Sequence, residues 1–363
     1  MQVKNLTLKN FRNYRDEYFE FDGGINVITG DNAQGKTNCV EAVFLLATGY
    51  SPRVRKDKQV ITYGEEKSEI KLEASSNYGK VEVALSYYAR GDKKIMINGV
   101  ETKRIGELFG NVYAVYFSPQ ELKLIQESPE DRRRFLDIAI SELSKKYFYS
   151  LVKYKKIIDQ RNKLLKEADR DMVLDTLPIW DEQLAEYFAD VVIARNSFIE
   201  KLSPEAEKAH AYLTDGKETL SVSGTVKYYG ERDDVVEQVK QDLMNSTERD
   251  LVLGYTTIGP HRDDLKITLN GEDVRIFGSQ GQQRTAALSL KLAELEILKS
   301  QYGEYPVLIL DDAMSELDVA RQKRILEKVE GVQTMITCTG TDASVFGGTD
   351  YKLFNVSNGS VVR

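Results

Sequence analysis

The first third of the chain alternates apolar and polar positions or runs apolar in short blocks, the pattern of half-buried and buried strands. Such blocks fall at residues 3–8, 18–21, 25–28, 69–74, 80–88, 95–97 and 112–117. Asp22-Gly23-Gly24, Asn77-Tyr78-Gly79 and Asn98-Gly99 supply turns between several of them. One apolar helix-forming stretch, Cys39-Val40-Glu41-Ala42-Val43-Phe44-Leu45-Leu46, interrupts the series. From about residue 129 the spacing changes to three and four. Leu143, Tyr147, Leu151, Tyr154, Ile158, Arg161 and Leu165 predict one helix. Leu184, Tyr187, Val191, Ala194 and Phe198 predict a second, beginning after Asp175-Thr176 and stopping near Ser203-Pro204. Two antiparallel helices with a short coiled-coil-like seam follow from these stripes. Further along, the pattern predicts a strand pair at 220–229, a polar helix at 233–244 and a hairpin at Asn270-Gly271. A helix at 282–298, a strand at 307–310 and terminal strands at 334–337 and 351–356 complete the chain. The expected organisation is an α/β core of residues 1–125 and 250–363, split by a mainly helical insertion, 126–249.

Composition narrows the class. At 363 residues the chain can bury a large core, and 41% hydrophobic with 29% charged residues is ordinary for a globular protein. No run approaches the ~18 to 20 apolar residues of a membrane span, and the N-terminus opens directly as a strand, so neither membrane span nor signal peptide is expected. Cys39 and Cys338 are too few for a disulfide framework, and a cytoplasmic setting is expected. A net charge of −7 excludes a uniformly basic surface but not local basic clusters.

The octet Gly30-Asp31-Asn32-Ala33-Gln34-Gly35-Lys36-Thr37 fits G-x-x-x-x-G-K-[ST] and lies between a buried strand and an apolar helix. That context gives the pattern a mechanism: loop amides and a helix N-terminus attract phosphate oxygens. Lys36 is expected on the β- and γ-phosphates and Thr37 on Mg²⁺. The other half of such a site is Val307-Leu308-Ile309-Leu310, a run suited to a parallel strand, ending in Asp311-Asp312. Ligands of open α/β sheets bind at the carboxyl ends of strands, so this pair is expected to face the loop. Asp311 is the expected Mg²⁺ ligand and Asp312 the expected general base. About 275 positions separate Lys36 from Asp311. No N-K-x-D base-reading motif is present, since Asn162-Lys163 is followed by Leu164-Leu165, which argues against a GTPase.

A phosphate loop and an acidic strand end divided by a helical insertion is the organisation of SMC-like ATPase heads. The chain resembles the RecF family of ABC/SMC-like ATPases in blocks that span its length in order. These are Leu8-Lys9-Asn10-Phe11-Arg12-Asn13-Tyr14, residues 30–38, Ser118-Pro119-Gln120-Glu121 and Pro129-Glu130-Asp131-Arg132-Arg133-Arg134-Phe135-Leu136-Asp137. Gly259-Pro260-His261-Arg262-Asp263-Asp264, Ser279-Gln280-Gly281-Gln282-Gln283-Arg284 and Leu310-Asp311-Asp312-Ala313-Met314-Ser315-Glu316-Leu317-Asp318 continue the match. The resemblance implies an ABC-type ATPase head of mixed sheets and helices with a short antiparallel arm. It implies ATP and Mg²⁺ as ligands, with Asn38 and Arg12 near the nucleotide and Gln120 sensing Mg²⁺ or the attacking water. Ser279, Gln280 and Gly281 would form a signature that binds the γ-phosphate held by an opposite subunit; on its own the stretch reads rather as a capped helix start, and the Asp311-Asp312 strand shortly after it reverses that preference. Where ABC transporters carry a switch histidine, this chain offers Thr337 and Thr339, so slow hydrolysis is expected. His261 is expected to be structural, and Arg132-Arg133-Arg134 to pin the insertion to the core.

Residues 145–166 hold eight basic residues against one acid, Asp159, with Tyr147, Tyr149 and Tyr154 interleaved. A solvated helix face explains this run as well as a phosphate-contacting one. The family resemblance favours DNA, with Lys145, Lys146, Lys153, Lys155 and Lys156 as contacts, and Arg53 and Arg55 as further candidates. The expectation is an ATP-driven homodimer that clamps duplex DNA near single-strand gaps, with RecR and RecO as partners and weak DNA-stimulated ATPase activity. The alternative is the ATPase subunit of a membrane transporter.

Overall fold

The computed structural model describes residues 1–54, 56–167, 169–225, 228–339 and 350–362. The N-terminal part comprises strands β1 (Gln2–Phe11), β2 (Tyr14–Glu20) and β3 (Ile25–Thr29) and helix α1 (Lys36–Thr48), followed by β4 (Lys67–Ser76), β5 (Gly79–Tyr88), β6 (Lys94–Ile97), β7 (Val100–Thr102) and β8 (Ala114–Phe117). The central part is mainly helical: α2 (Lys123–Gln126), α3 (Pro129–Leu143), α4 (Lys145–Glu167), α5 (Arg170–Thr214), β9 (Leu220–Gly224) and α6 (Arg232–Leu253). The C-terminal part runs β10 (Leu265–Leu269), β11 (Glu272–Asp273), α7 (Val274–Phe277), α8 (Gln280–Tyr302), β12 (Val307–Asp311), α9 (Val319–Lys328), β13 (Thr334–Cys338), β14 (Tyr351–Ser357) and β15 (Ser360–Val362).

Two large sheets organise these elements. One is antiparallel, ordered β2-β1-β4-β5-β6-β7. The other is ordered β15-β14-β3-β13-β12-β8 and parallel throughout except at its β15 edge. Every residue of β3, β8, β12 and β13 is buried, as continuous apolar strands covered on both faces must be. Their alternate side chains feed two separate cores. Val27, Val115, Leu308, Leu310 and Ile336 join the helices α3, α5 and α8. Ile28, Ala114, Val307, Ile309 and Met335 face α1 and the antiparallel sheet. The phosphate-loop helix is thus packed between two sheets, and the helical insertion lies on the opposite face of the parallel one. At Asn98-Gly99, Asn270-Gly271 and Asn358-Gly359 both residues have positive φ, as tight hairpins require.

Three expectations about the insertion need correction. The second arm helix does not stop at Ser203-Pro204; α5 runs from Arg170 to Thr214 with Pro178 and Pro204 inside it. An interior proline costs roughly 3 kcal/mol, and burial of Ala206, Ala209 and Leu213 beyond Pro204 offsets it. Among the described residues, the range 220–229 of the expected strand pair holds one strand, β9, which pairs with β10 about 45 residues later in the chain. Arg161 does not lie on a basic surface. It is fully buried, with Nε donating to Asp181 at 2.7 Å and Nη1 to Asp250 at 2.6 Å and Thr256 at 2.9 Å. Tyr147 and Tyr154 are buried as well.

Candidate nucleotide site

Between β3 and α1 the chain must reverse direction closely against β14, and glycine makes this possible at Gly30. Its φ is 150°, and a Cβ there would stand 2.2 Å from the Val356 carbonyl oxygen. The loop is then held from outside. Tyr14 OH donates to Gly35 O at 3.0 Å, Asn13 Nδ2 to Gln34 O at 2.7 Å, and the Gly359 N–H to Gln34 O at 2.9 Å. Lys36, buried at the first turn of α1, donates from Nζ to Gly30 O at 2.8 Å and Asp31 O at 2.9 Å. Its ammonium therefore lies inside the curl of the loop, where phosphate oxygens are bound in proteins of this kind.

Parallel pairing of β3, β13 and β12 brings Asp311 to the same end of the sheet as the loop. Thr37 Oγ1 donates to Asp311 Oδ1 at 2.9 Å across 274 positions of sequence. Asp311 also accepts from Thr337 Oγ1 at 2.7 Å and from Tyr116 OH at 2.5 Å. A hydroxyl and a carboxylate converging this way form a hard oxygen pair, which suits Mg²⁺ completed by phosphate and water oxygens. Asp312 is half-buried, has φ 50° and donates its backbone N–H to Thr337 Oγ1 at 2.8 Å. Burial, then the neighbouring Asp311 carboxylate, pushes its carboxyl above the usual range, against the opposing pull of Lys36 and Thr337. A carboxylate so raised is more basic, a property that suits proton abstraction. Thr337 is held by both aspartates, whereas Thr339 is exposed beyond the end of β13.

Arg12 is placed differently from the expectation that it approaches phosphate. Its guanidinium forks onto the fully buried Glu41, at 3.0 and 2.6 Å, and donates to Gln59 O at 2.8 Å. Arg53 donates to Asn38 Oδ1 at 2.7 Å, and Asn38 Nδ2 in turn to Asn13 Oδ1 at 2.8 Å. These residues brace the loop from behind. Arg55 lies outside the described residues. Gln120 is exposed at a short turn after β8 and lines a cavity of about 180 Å³ with Phe44, Arg53, Tyr116 and Arg134. Ser279, Gln280 and Gly281 are exposed at the start of α8; among the described residues they make no hydrogen bond to the loop or to Asp311-Asp312. Ser279 instead forms a capping box with Gln282.

On α4, Lys145, Lys146, Lys153, Lys155 and Lys156 are exposed. Three of them already face carboxylates: Lys145 meets Glu107 at 3.2 Å, Lys146 Asp190 at 3.8 Å and Lys155 Asp137 at 2.9 Å. Arg132 joins α3 to Asp264 through one guanidinium edge, Nε and Nη2, at 2.5 and 3.0 Å, in line with a pinning role. His261 packs beneath α4, with Tyr154 OH 2.6 Å from Nδ1 and the Thr256 carbonyl 3.0 Å from Nε2. The carbonyl can only accept, so Nε2 carries the proton and Nδ1 accepts from the tyrosine. Burial, with the nearby Arg262, Arg133 and Arg195 guanidinium groups, lowers the His261 pKa from 6.5 to about 4. The unfolded chain takes up this proton first as pH falls. The stability contributed by the neutral ring is therefore full above pH 6.5, lost progressively towards pH 4 and constant below. Urea midpoints measured across this window are expected to slope downwards with acidity, and His261→Gln is expected to remove part of the slope.

Glu41, Tyr116 and Asn13 have places around this site that motif spacing did not reveal. The one available signal was Glu41, a lone acid in a helix otherwise apolar all round, which demands a buried cation.

A glycine loop and an acidic strand end meeting on one parallel sheet, with an antiparallel sheet on one face and a helical insertion on the other, define an ABC/SMC-type ATPase head. Comparison with known proteins agrees. The family model described as RecF/RecN/SMC N terminal domain matches residues 2–359, and the chain belongs to this family, in its RecF branch. The chain is 44% identical over 348 residues to the DNA replication and repair protein RecF of Ruminiclostridium cellulolyticum, covering 94% of each. It is 41% identical over 364 residues to that of Clostridium acetobutylicum, covering 100% of each. A solved structure of the recombination mediator protein RecF with ATP, in the RecFOR pathway, superposes with a TM-score of 0.89 at 39% identity, covering 99% of this chain and 96% of that one. An Smc head domain from Pyrococcus furiosus shares the fold at 18% identity, with a TM-score of 0.57 over 99% of this chain and 95% of that one. Among the described residues no helix is long and apolar enough to cross a membrane.

Proposed function

We propose that this chain is an ATP-dependent DNA-binding protein of recombinational repair, in which ATP closes a homodimer on DNA and slow hydrolysis reopens it. The observation that carries this reading is the division of the site. Thr37 and Asp311 meet at 2.9 Å, while the signature stands exposed at the start of another helix. One chain supplies the phosphate loop and the acidic pair, and a second copy supplies Ser279, Gln280 and Gly281 to the γ-phosphate. The RecF relatives, named for DNA replication and repair and solved with ATP, support the reading.

In this scheme the amides of residues 30–38 and the Lys36 ammonium hold the triphosphate. Thr37 and Asp311 would hold Mg²⁺, which would neutralise phosphate charge, and Gln120 would sense the ion or the attacking water. Asp312 takes the proton from the attacking water. Tyr116 and Thr337 keep Asp311 aimed at Thr37 by donating to its carboxylate. DNA lies against the exposed α4 lysines Lys145, Lys146, Lys153, Lys155 and Lys156, with Arg53 and Arg55 as further contacts. Contacts to phosphate of this kind are indifferent to sequence and weaken with salt. RecR and RecO are the proposed partners, a weak DNA-stimulated ATPase the proposed activity, and the cytoplasm the proposed setting.

Ser279→Arg tests the scheme. An arginine at the exposed helix start leaves the phosphate loop of its own chain untouched but obstructs that of a partner. Nucleotide affinity is expected to stay within about twofold, while ATP-dependent dimerisation is lost, an effect of at least ~100-fold on the dimer dissociation constant, or about 2.8 kcal/mol. Size-exclusion chromatography with light scattering, with and without ATP, reads the outcome. A Ser279→Arg protein that still dimerises with ATP removes the two-copy site.

A further inference from the structure

The N-terminus of α8 is set by a side chain from outside the signature. Within the helix start, the Ser279 N–H donates to Gln282 Oε1 at 2.8 Å, and Ser279 Oγ accepts from the Gln282 N–H at 3.3 Å. The other end of the same amide is claimed by the tertiary structure, because Gln282 Nε2 donates to Glu218 Oε1 at 2.8 Å. The second Glu218 oxygen lies 3.1 Å from His210 Nε2. His210 is fully buried in the last turn of α5, and its Nδ1 is 3.1 Å from Ser289 Oγ, two turns further along α8. A carboxylate only accepts, so Nε2 carries the proton and donates to Glu218.

This chain of bonds has a consequence for geometry. The oxygen and nitrogen of a side-chain amide diverge from one carbon in a single plane. Fixing the Gln282 nitrogen on Glu218 therefore also fixes where its oxygen points, which here is the Ser279 N–H. Without that anchor, Gln282 is a partly exposed side chain free to change rotamer, and Ser279 keeps only its hydroxyl cap. Glu218 is itself anchored at the arm. The loop that bears it follows the end of α5, where Arg324 of α9 donates to Asp215 Oδ1 at 2.5 Å and to Leu213 O at 2.7 Å. The end of the long arm helix is thus bonded both to the signature helix and to the helix that follows the acidic strand.

We propose that Glu218 is a positioning residue for the signature: it orients Ser279, through Gln282, for a nucleotide held by a second copy of the chain. It also makes the aim of that serine depend on where α5 ends, so that displacement of the arm is felt at the ATP interface. This rests on the two-copy site proposed above.

Glu218→Ala in the full-length chain is expected to leave nucleotide affinity within about twofold, because the phosphate loop is untouched. The ATP-dependent dimer dissociation constant is expected to rise about tenfold or more, the bond being lost at both symmetric sites. Glu218→Gln keeps an oxygen for Gln282 Nε2 and is expected to restore dimerisation, which a side chain that only stabilised the fold would not single out. Fluorescent-nucleotide titration and analytical ultracentrifugation with ATP give the two constants, with Ser279→Arg run alongside. Where Ser279→Arg blocks dimerisation but Glu218→Ala pairs as the parent does, the positioning role is overturned and the two-copy site stands. Where Ser279→Arg still pairs, both fall. Equal losses in Glu218→Ala and Glu218→Gln also overturn the positioning role. Should Glu218→Ala melt too early for comparison, Gln282→Met removes the same bond from a partly exposed position. Its pairing as tightly as the parent would count against the proposal in the same way.

Discussion

Asp312→Asn is expected to lower kcat for ATP hydrolysis by about 10²- to 10⁴-fold, the contribution of a positioned general base. The substitution is close to isosteric, and asparagine accepts the left-handed backbone that Asp312 adopts at φ 50°. The backbone bond from residue 312 to Thr337 Oγ1, at 2.8 Å, does not involve the side chain and should persist. Asp311, Thr37 and Lys36 are unchanged, so nucleotide affinity is expected to stay within about twofold and the ATP-bound dimer to live longer. Single-turnover hydrolysis with filter binding separates the two effects. Unchanged kcat would assign the proton transfer to another group; a matching loss of affinity would make Asp312 a ligand-holding residue instead. A titrating base also leaves a signature of its own: an acidic limb of the pH–rate profile present in the parent and absent in Asp312→Asn.

Arg161→Met is expected to destabilise the helical insertion by about 3–5 kcal/mol, the cost of removing one partner from a buried ion pair. Arg161 and Asp250 are both completely buried at 2.6 Å, and Asp181 closes the other side of the guanidinium at 2.7 Å. One residue thereby ties α4, α5 and α6 together. Methionine fills much of the volume but leaves the Asp250 carboxylate with only neutral donors, from Thr257 at 3.0 and 2.7 Å and Ser246 at 3.4 Å. Urea denaturation followed by limited proteolysis should show the arm opening first. Asp250→Asn combined with Arg161→Met should recover part of the loss, because the fully buried Asp250 charge is then gone and only the partly buried Asp181 carboxylate is left without its cation. An Arg161→Met protein as stable as the parent would show that water or a rearranged partner satisfies Asp250.

The parts of the site that were legible before the structure are those that local geometry dictates. A loop curled against a neighbouring strand requires glycine at residue 30, and a helix N-terminus for anions needs no tertiary partner to be recognised. The acidic pair was legible because a strand buried on both faces is a continuous apolar run and its ligands gather at its carboxyl end. Arg161 shows where such reasoning stops. In the linear pattern it counts as one of eight cations on a basic helix, and its heptad-like spacing with Leu165 and Ile158 was the sole indication that it faces inwards. Pro204 shows the same limit in the other direction. A proline is a local stop signal, but the apolar stripe that continues past it is worth more than the lost bond once α8 is there to cover it.

The amino-acid sequence by itself determined the phosphate loop, the acidic strand end, the Asn-Gly hairpins and the alternation of strand-rich and helical segments, because each follows from backbone conformation and side-chain period over a few residues. Only the tertiary structure decided which charges are buried in pairs, which lysines remain outside, and that Thr37 and Asp311 come within 2.9 Å while Ser279 stays exposed on another helix. Those outcomes depend on contacts between residues far apart in the chain, where the large desolvation cost of an ion is met by a partner that no local pattern names.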